Sequence, residues 1–180
     1  MSGPLRVAVI IGSTRPGRLG PAVAAWFADQ AVPREDVTID LIDLADADTP
    51  IGPRLATADA FVVVTPEYNH SFPAPLKQVI DAFSTEWRAK PAAFVSYGGI
   101  SGGLRAVQMA KQIVTTLKMM PIPEGVPMPM VFPNLDESGN LKPLDIYKTS
   151  ATTMLDELHR WTEALKSLRA QRKAPLKAAA

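Results

Sequence analysis

The sequence contains no cysteine among its 180 residues and only two histidines, His70 and His159. The absence of cysteine excludes disulfides, thiolate catalysis and cysteine-ligated zinc sites, and it fits a chain of the cytoplasm. Two histidines are too few for a histidine-rich metal site. We therefore expect a cytoplasmic protein without a metal centre.

A charge excess of either sign is also missing, because the formal net charge is +1. A nearly neutral chain creates no strong field that would attract nucleic acid or an anionic membrane. We expect the basic end of the chain, residues 171–180, to be a disordered, solvated tail. No apolar run is long enough to span a bilayer, and the N-terminus lacks the features of a signal peptide. Neither nucleic acid nor a membrane is an expected partner.

Several apolar segments have the pattern of β-strands. Residues 5–12, 58–65 and 90–96 are nearly continuous apolar runs, which is typical of strands buried on both faces of a parallel sheet. Residues 37–44 alternate apolar and polar side chains, as in a strand with one more polar face. A fifth strand, interrupted by proline, is expected within 118–132, inside a proline-rich connection that extends to residue 143.

Helical periodicity separates these strands. The patterns predict helices over 21–30, 76–83, 102–117 and 154–168, the last of about five turns. The helix over 102–117 is apolar on two sides, which predicts two packing partners. The second partner could be another subunit. Between the second and third strands, Pro50 and Pro53 limit the chain to a turn or two of helix. The alternation favours an open parallel sheet with helices on both faces, in one domain.

Three loops that follow buried strands are rich in glycine, proline and polar residues. They are "GSTRPGRLG" after the first strand, "TPEYNH" after the third and "SYGGISGG" after the fourth. In open α/β sheets, ligands bind beyond the carboxyl ends of the strands, where the strand order reverses. We therefore expect the three loops to meet at one edge of the sheet and to form the binding site.

The first loop leads into a helix N-terminus, where free amides and the helix dipole favour an anion. Ser13 and Thr14 offer hydroxyl donors, while Arg15 and Arg18 offer guanidinium groups that suit phosphate. The loop has neither the Walker A pattern nor the glycine spacing of the dinucleotide fingerprint. The alternative is an ordinary strand-to-helix turn with surface arginines.

The other two loops supply planar and polar groups. Tyr68, Asn69 and Tyr97 could frame a flat heterocycle with a polar edge. The alternatives are tyrosines that pack with an exposed hydroxyl, and a solvated loop carboxylate at Glu67.

On these three motifs the chain resembles the NADPH-dependent FMN reductase family, which includes NAD(P)H quinone and chromate reductases. The similarity runs from Val7 to about Leu117 and rests on "GSTRPGRLG", "ADAFVVVTPEYNHSFPAPLKQVIDAF" and "KPAAFVSYGGISGGLRAVQ". The resemblance implies a flavodoxin-like three-layer α/β/α sandwich with a five-stranded parallel sheet in the order 2-1-3-4-5.

The resemblance also implies a set of FMN-binding residues. The first loop would hold the phosphate, and the other two loops would line the isoalloxazine ring. The implied residues are Ser13, Arg15, Arg18, Leu19, Gly20, Pro66, Glu67, Tyr68, Asn69, Ser96, Tyr97, Gly98 and Gly99. Two departures stand out: Leu19-Gly20-Pro21 replaces the Ser-x-Asn of many relatives, and the segment 44–57 is short.

The implied function is electron transfer from NADPH or NADH through FMN to a quinone, a free flavin or a similar small acceptor, by ping-pong hydride transfer. The flavin would carry the chemistry, so no catalytic acid or base is assigned. Relatives are dimers or tetramers, which implies a homodimer or homotetramer. Two alternatives stay open: a non-enzymatic flavodoxin-type carrier, which would usually be strongly acidic, and a flavin-free binding protein on the same fold.

Overall fold

The computed structural model describes residues 3–48, 50–142 and 145–171. Five parallel strands form one sheet in the order β2-β1-β3-β4-β5. The strands are β1 (Leu5–Ile11), β2 (Val37–Asp43), β3 (Ala60–Pro66), β4 (Pro91–Gly98) and β5 (Met120–Pro129). The strand order predicted from the family resemblance is confirmed, and its reversal between β1 and β3 places a crevice at their carboxyl ends.

Five α-helices of the described chain cover the two faces of the sheet, and a short 3-10 helix, Phe132–Asn134, follows β5. The α-helices are α1 (Gly20–Ala31), α2 (Ile51–Thr57), α3 (Ala74–Ala82), α4 (Leu104–Thr116) and α5 (Asp145–Gln171). Alternate residues of β1 show the division, because Val7 and Val9 pack with α1 and α5, whereas Ala8 and Ile10 pack with α2, α3 and α4. The three-layer sandwich follows from this burial on both faces.

The fifth strand is continuous, although proline was expected to interrupt it. All four of its prolines occupy odd-numbered positions, whereas Met120 and Met130 at even positions donate their amides to the Lys90 and Gly99 carbonyls. Pro127 and Pro129 alternate with residues that pair with β4, and Pro121 and Pro123 lie where the register against β4 shifts, at the two kinds of position where a strand tolerates proline. The same prolines protect the edge of the sheet that β5 forms from pairing with another strand.

The extents of α2 and α5 can be compared with those predicted from the sequence. The short helix expected between the second and third strands is α2, with seven residues or about two turns. The last helix has 27 residues, which is between about seven and eight turns, whereas about five turns were predicted. Its first turns escaped detection because Ile146 is exposed and Tyr147 is only half-buried, so no apolar stripe marks them. Apart from Gln171, the expected basic tail lies outside the described residues.

Candidate functional site

The loop after β1 presents an open helix N-terminus. No side chain caps α1, whose first residue, Gly20, lies within the tightly packed base of the loop. A Cβ at Gly20 would lie 2.7 Å from Ile11 Cγ2 and 3.3 Å from the Tyr97 hydroxyl. The absence of a side chain therefore lets the start of α1 pack closely against Ile11 of β1 and Tyr97 of β4. The uncapped helix N-terminus, with its free amides and dipole, favours an anion.

The first and second loops contact each other directly. The hydroxyl groups of Ser13, which is fully buried, and Tyr68 are 2.6 Å apart. The guanidinium carbon of Arg15 lies 3.6 Å from the centre of the Tyr68 ring, a cation–π contact. The predicted phosphate loop and the predicted ring-binding turn thus form one continuous surface.

Arg18, by contrast, is engaged in bonds within the protein. Its guanidinium makes a bidentate pair with Asp43 at the end of β2, at 2.6 and 2.8 Å, and donates to the Ser13 carbonyl at 2.7 Å. The hydrogen bonds to Asp43 raise the pKa of Arg18. Burial favours protonated Asp43, but the bonds from Arg18 and the Ala45 amide hold the pKa of that carboxyl below its usual value. Arg18 therefore braces the loop and leaves Arg15 as the more available cation.

Tyr97, at the end of β4, points a bare hydroxyl into the same region. The side chain is 4% exposed, and its oxygen has no hydrogen-bond partner within the described structure. Burial raises the pKa of Tyr97, so the hydroxyl keeps its proton and can donate it. An unpaired buried hydroxyl is costly, and this one lies beside Gly20 at the start of α1.

The "TPEYNH" motif forms a tight turn between β3 and α3. Tyr68 and Ser71 exchange backbone hydrogen bonds of 2.8 and 3.0 Å, and both residues between them have positive φ, 51° at Asn69 and 66° at His70. Two consecutive positive φ values are typical of a type I′ turn, and asparagine tolerates this conformation well. The turn exposes Asn69 and His70 and directs Tyr68 back towards Ser13.

Glu67 links this turn to α4. Its carboxylate, only 6% exposed, accepts hydrogen bonds from the Ser101 hydroxyl at 2.7 Å, the Arg105 amide at 3.2 Å and Arg105 Nε at 2.5 Å. Burial would raise the pKa of Glu67, but these donors keep it below its usual value. Glu67 is therefore a buried, ion-paired group and not the solvated carboxylate considered from the sequence.

A pH-dependent loss of stability is expected from Glu67. A carboxyl whose pKa is lowered on folding stabilises the protein above its unfolded pKa of about 4.3, and this contribution disappears as the pH falls through the folded value. Glu67→Gln should therefore cost about 1–2 kcal/mol at pH 7, and the difference from wild type should shrink below pH 4 or so. Urea unfolding at fixed protein concentration across this range measures it, with the exposed Glu137→Gln as control. A pH-independent difference would contradict the ion-pair explanation.

The third loop approaches the other two through backbone contacts. Glu67 donates its amide to the Tyr97 carbonyl at 3.2 Å, and the Ser96 hydroxyl donates to the Gly102 carbonyl at 2.8 Å. Ser96 therefore shapes the loop with its side chain and has no free hydroxyl hydrogen for a ligand. Gly98 is half-buried and Gly99 is exposed, so this loop offers open backbone at the crevice.

The structure thus brings the three predicted loops together at the carboxyl edge of the sheet, but it divides their residues by role. Tyr97 lies beside the start of α1 and Arg15 stacks on Tyr68, while Ser13, Arg18, Glu67 and Ser96 are engaged in bonds within the protein. Asp43, Ser101 and Arg105, the side-chain partners of Arg18 and Glu67, were not predicted from the sequence. No local signal marks these three, because each pair joins residues from separate elements.

The chemistry of this crevice fits a phosphate-bearing cofactor. It combines free helix amides, an unpaired tyrosine hydroxyl and an available arginine. The described residues contain no group of three or more His, Asp or Glu side chains able to hold a metal ion. No helix in the described part of the chain is long and apolar enough to cross a membrane.

Comparisons with known proteins agree with this chemistry. The model of the NADPH-dependent FMN reductase family matches residues 5–132. An NAD(P)H-dependent FMN reductase of Schizosaccharomyces pombe is 35% identical over 140 residues, covering 66% of this chain and 70% of the relative. A quinone reductase of Escherichia coli is 32% identical over 140 residues, covering 67% of this chain and 74% of the relative.

A solved structure extends the agreement to the fold. FerB, a flavoenzyme NAD(P)H:(acceptor) oxidoreductase from Paracoccus denitrificans, matches with a TM-score of 0.70 at 24% identity, covering 89% of this chain and 98% of that one. This likeness bears on the fold alone, which it supports along nearly the whole chain. The family match covers well over half of the sequence and confirms the prediction made from the three loop motifs. The chain belongs to the NADPH-dependent FMN reductase family.

Proposed function

We propose that the chain acts as a single FMN-binding domain that oxidises NADPH or NADH and reduces a quinone, a free flavin or a similar small acceptor. One observation carries the proposal: the buried, unpaired Tyr97 hydroxyl faces the uncapped start of α1 in a chain of the FMN reductase family. FMN held at this site would supply the redox chemistry that links oxidation of the reduced nicotinamide to reduction of the acceptor. The protein supplies binding, orientation and electrostatics.

The phosphate of the cofactor would be held at the start of α1. The amides of the helix N-terminus, the Tyr97 hydroxyl and the Arg15 guanidinium are the donors that the crevice offers. Thr14 adds a half-buried hydroxyl from the same loop. Leu19 and Gly20 contribute backbone alone, which agrees with the loss of the polar groups that many relatives have there.

The ring of the cofactor would lie against the turn at residues 66–69 and the loop at 96–99. The type I′ turn fixes Tyr68 through paired backbone bonds with Ser71, and the space beside Gly99 is open to a planar group. The carboxylate of Glu67 stays ionised and bonded to Arg105, so it positions the turn and is not a proton donor. The ring walls are therefore preorganised without a catalytic acid.

We also propose that a second copy of the chain covers an apolar surface next to this crevice. The Met130 amide binds the Gly99 carbonyl and brings the end of β5 beside the third loop. Four large side chains there are between 47% and 88% exposed: Ile100, Leu104, Met130 and Phe132. Such a surface suits a homodimer or homotetramer with sites near the interface, and sedimentation equilibrium measures the subunit number. A cytoplasmic location, where reduced pyridine nucleotides are available, completes the proposal.

Spectroscopy and turnover test the proposed function together. The protein saturated with FMN should be yellow and should oxidise NADPH or NADH continuously when a quinone or free FMN is supplied. Tyr97→Phe should weaken FMN binding about tenfold, because a hydrogen bond to a charged acceptor is lost. The same change should leave the FMN-free protein as stable as wild type or about 1 kcal/mol more stable, because an unpaired buried hydroxyl disappears.

Fluorescence titration with FMN and urea unfolding of the FMN-free protein measure the two effects of Tyr97→Phe. A yellow protein that fails to turn over would support the flavodoxin-type carrier, an alternative that the named reductases among its relatives do not favour. A protein that ignores FMN would contradict the proposal altogether. Unchanged FMN affinity in Tyr97→Phe would remove Tyr97 from the phosphate site.

A further inference from the structure

A second cavity lies at the opposite, amino-terminal edge of the sheet. Its volume is about 740 Å³, within the range of small-molecule sites. The walls come from the starts of β1, β3 and β4 and from the end of α5. The charged side chains that line it are Arg6, Asp59, Glu86, Arg88, Lys90, Lys166 and Arg169.

The cavity has a strong excess of positive charge. Five basic side chains face two carboxylates, in a chain whose overall net charge is only +1. Asp59 accepts a hydrogen bond from the Arg6 amide and lies 3.9 Å from Arg6 Nε, so its charge is already engaged. Lys166 pairs with Glu163 on its own helix. Among the described residues, the other cations are therefore left without a bonded carboxylate.

Lys90 is the most buried of these cations. The residue is 7% exposed, and its ammonium donates to the carbonyls of Leu55 and Ala56 at 2.8 and 3.1 Å. Burial and the nearby Arg169 lower the pKa of Lys90 to about 8, against the smaller opposing effects of Asp59 and Glu86. A buried cation bonded only to carbonyls gains much from a neighbouring anion.

Two arginines complete the unpaired set. Arg169 donates to the carbonyls of Ala89 and Thr162 at 2.8 and 3.4 Å, and burial lowers its pKa. Within the described residues, the half-buried Arg88 makes no hydrogen bond or ion pair at all. A planar guanidinium free of partners inside a cavity is well suited to bidentate recognition of phosphate.

We propose that this cavity, formed by Arg88, Lys90 and Arg169 at the amino-terminal edge of the sheet, binds a soluble phosphate-bearing molecule of nucleotide size. The concave shape favours a small solute over a flat lipid surface. The site is separated from the proposed FMN crevice by the length of the strands. Lys90 precedes β4 and donates to carbonyls in the last turn of α2. An anion bound to Lys90 would therefore stabilise the start of β4 and the end of α2 without contacting the flavin.

Calorimetric titration of the FMN-saturated protein tests the proposal, because FMN keeps phosphate probes out of the carboxyl-edge crevice. Inorganic pyrophosphate and adenosine monophosphate serve as probes. We expect both to bind, and Arg88→Gln to weaken binding about tenfold, since a charge-assisted contact is lost. Arg88 bonds to nothing in the described chain, so the variant should fold as wild type. Arg160→Gln, on the exposed side of α5, is the charge-matched control and should bind as wild type.

Chemical-shift mapping of the same titration should place the largest amide changes at residues 86–90 and 166–170 and not at 12–20. Absence of binding at millimolar probe concentrations would overturn the proposal, as would equal affinities of Arg88→Gln and wild type. Phosphatidylglycerol vesicles distinguish the source of the phosphate. Vesicle binding that depends on Arg88, without binding of either soluble probe, would assign the surface to lipid and contradict the proposed small ligand.

Discussion

Gly103→Ala is expected to lower the free energy of unfolding by about 3 kcal/mol, the largest stability effect anticipated for a single added methyl group here. Gly103 precedes α4 with φ at 84°, a left-handed conformation that alanine adopts at a cost. Its Cβ would also lie 2.8 Å from Ser96 Cβ and 2.9 Å from the Tyr97 amide nitrogen. These neighbours belong to a central part of the sheet that cannot easily move, so steric strain adds to the backbone strain.

A matched variant separates the two contributions. Gly17 also has positive φ, 67°, but a Cβ there would meet no atom within 4 Å. Gly17→Ala should therefore cost about 1 kcal/mol, from backbone strain alone. Urea unfolding of both variants at one protein concentration measures the difference. If the two variants lost the same free energy of unfolding, the contact between the added Cβ and β4 would cause no steric strain.

Gly103→Ala should also reach the proposed FMN site. The added Cβ presses on Tyr97, whose hydroxyl faces the start of α1, so FMN affinity should fall along with stability. Gly17 lies in the exposed part of the first loop, and its replacement leaves Tyr97 untouched. Loss of affinity in the first variant and not in the second would connect the packing behind β4 to the cofactor site.

The strands, the helices and the position of the site could be predicted from the sequence because each has a local signature. Apolar runs mark β1, β3 and β4, and the loop motifs follow these strands directly. Parallel strands bring their carboxyl ends to one edge, so a list of loops was enough to predict where the three loops meet. The fifth strand was harder, since proline argues against a strand until the strand is known to lie at an edge.

The roles of individual side chains depend on contacts that no local pattern records. Arg18 has the chemistry of a phosphate ligand, yet Asp43 binds it because the sheet order places the end of β2 beside the first loop. Glu67 is bonded to Arg105, which is 38 positions away in the sequence. Long-range pairs of this kind follow from the tertiary arrangement. A sequence motif therefore predicts that a site is present better than it predicts which group each of its side chains binds.

Replacing Ser13 and Arg15 together by alanine is expected to weaken FMN binding about a hundredfold, the largest effect anticipated on the cofactor. Arg15 is the exposed cation of the first loop, stacked on Tyr68, whereas Arg18 is occupied by Asp43. Its loss removes the most available positive charge near the start of α1. Ser13→Ala also breaks the 2.6 Å contact with Tyr68, which fixes the ring-binding turn against the phosphate loop.

Fluorescence titration with FMN at several salt concentrations measures the change, because a charge-based contact weakens as salt screens it. The double variant should show a smaller salt dependence than wild type. Arg18→Ala is the informative comparison: loss of its bonds to Asp43 and Ser13 should mainly lower the unfolding free energy, with a smaller loss of FMN affinity than Arg15→Ala causes. If the double variant bound FMN as tightly as wild type, the first loop would not hold the phosphate. If Arg18→Ala reduced affinity more than Arg15→Ala, the division of roles between the two arginines would be reversed.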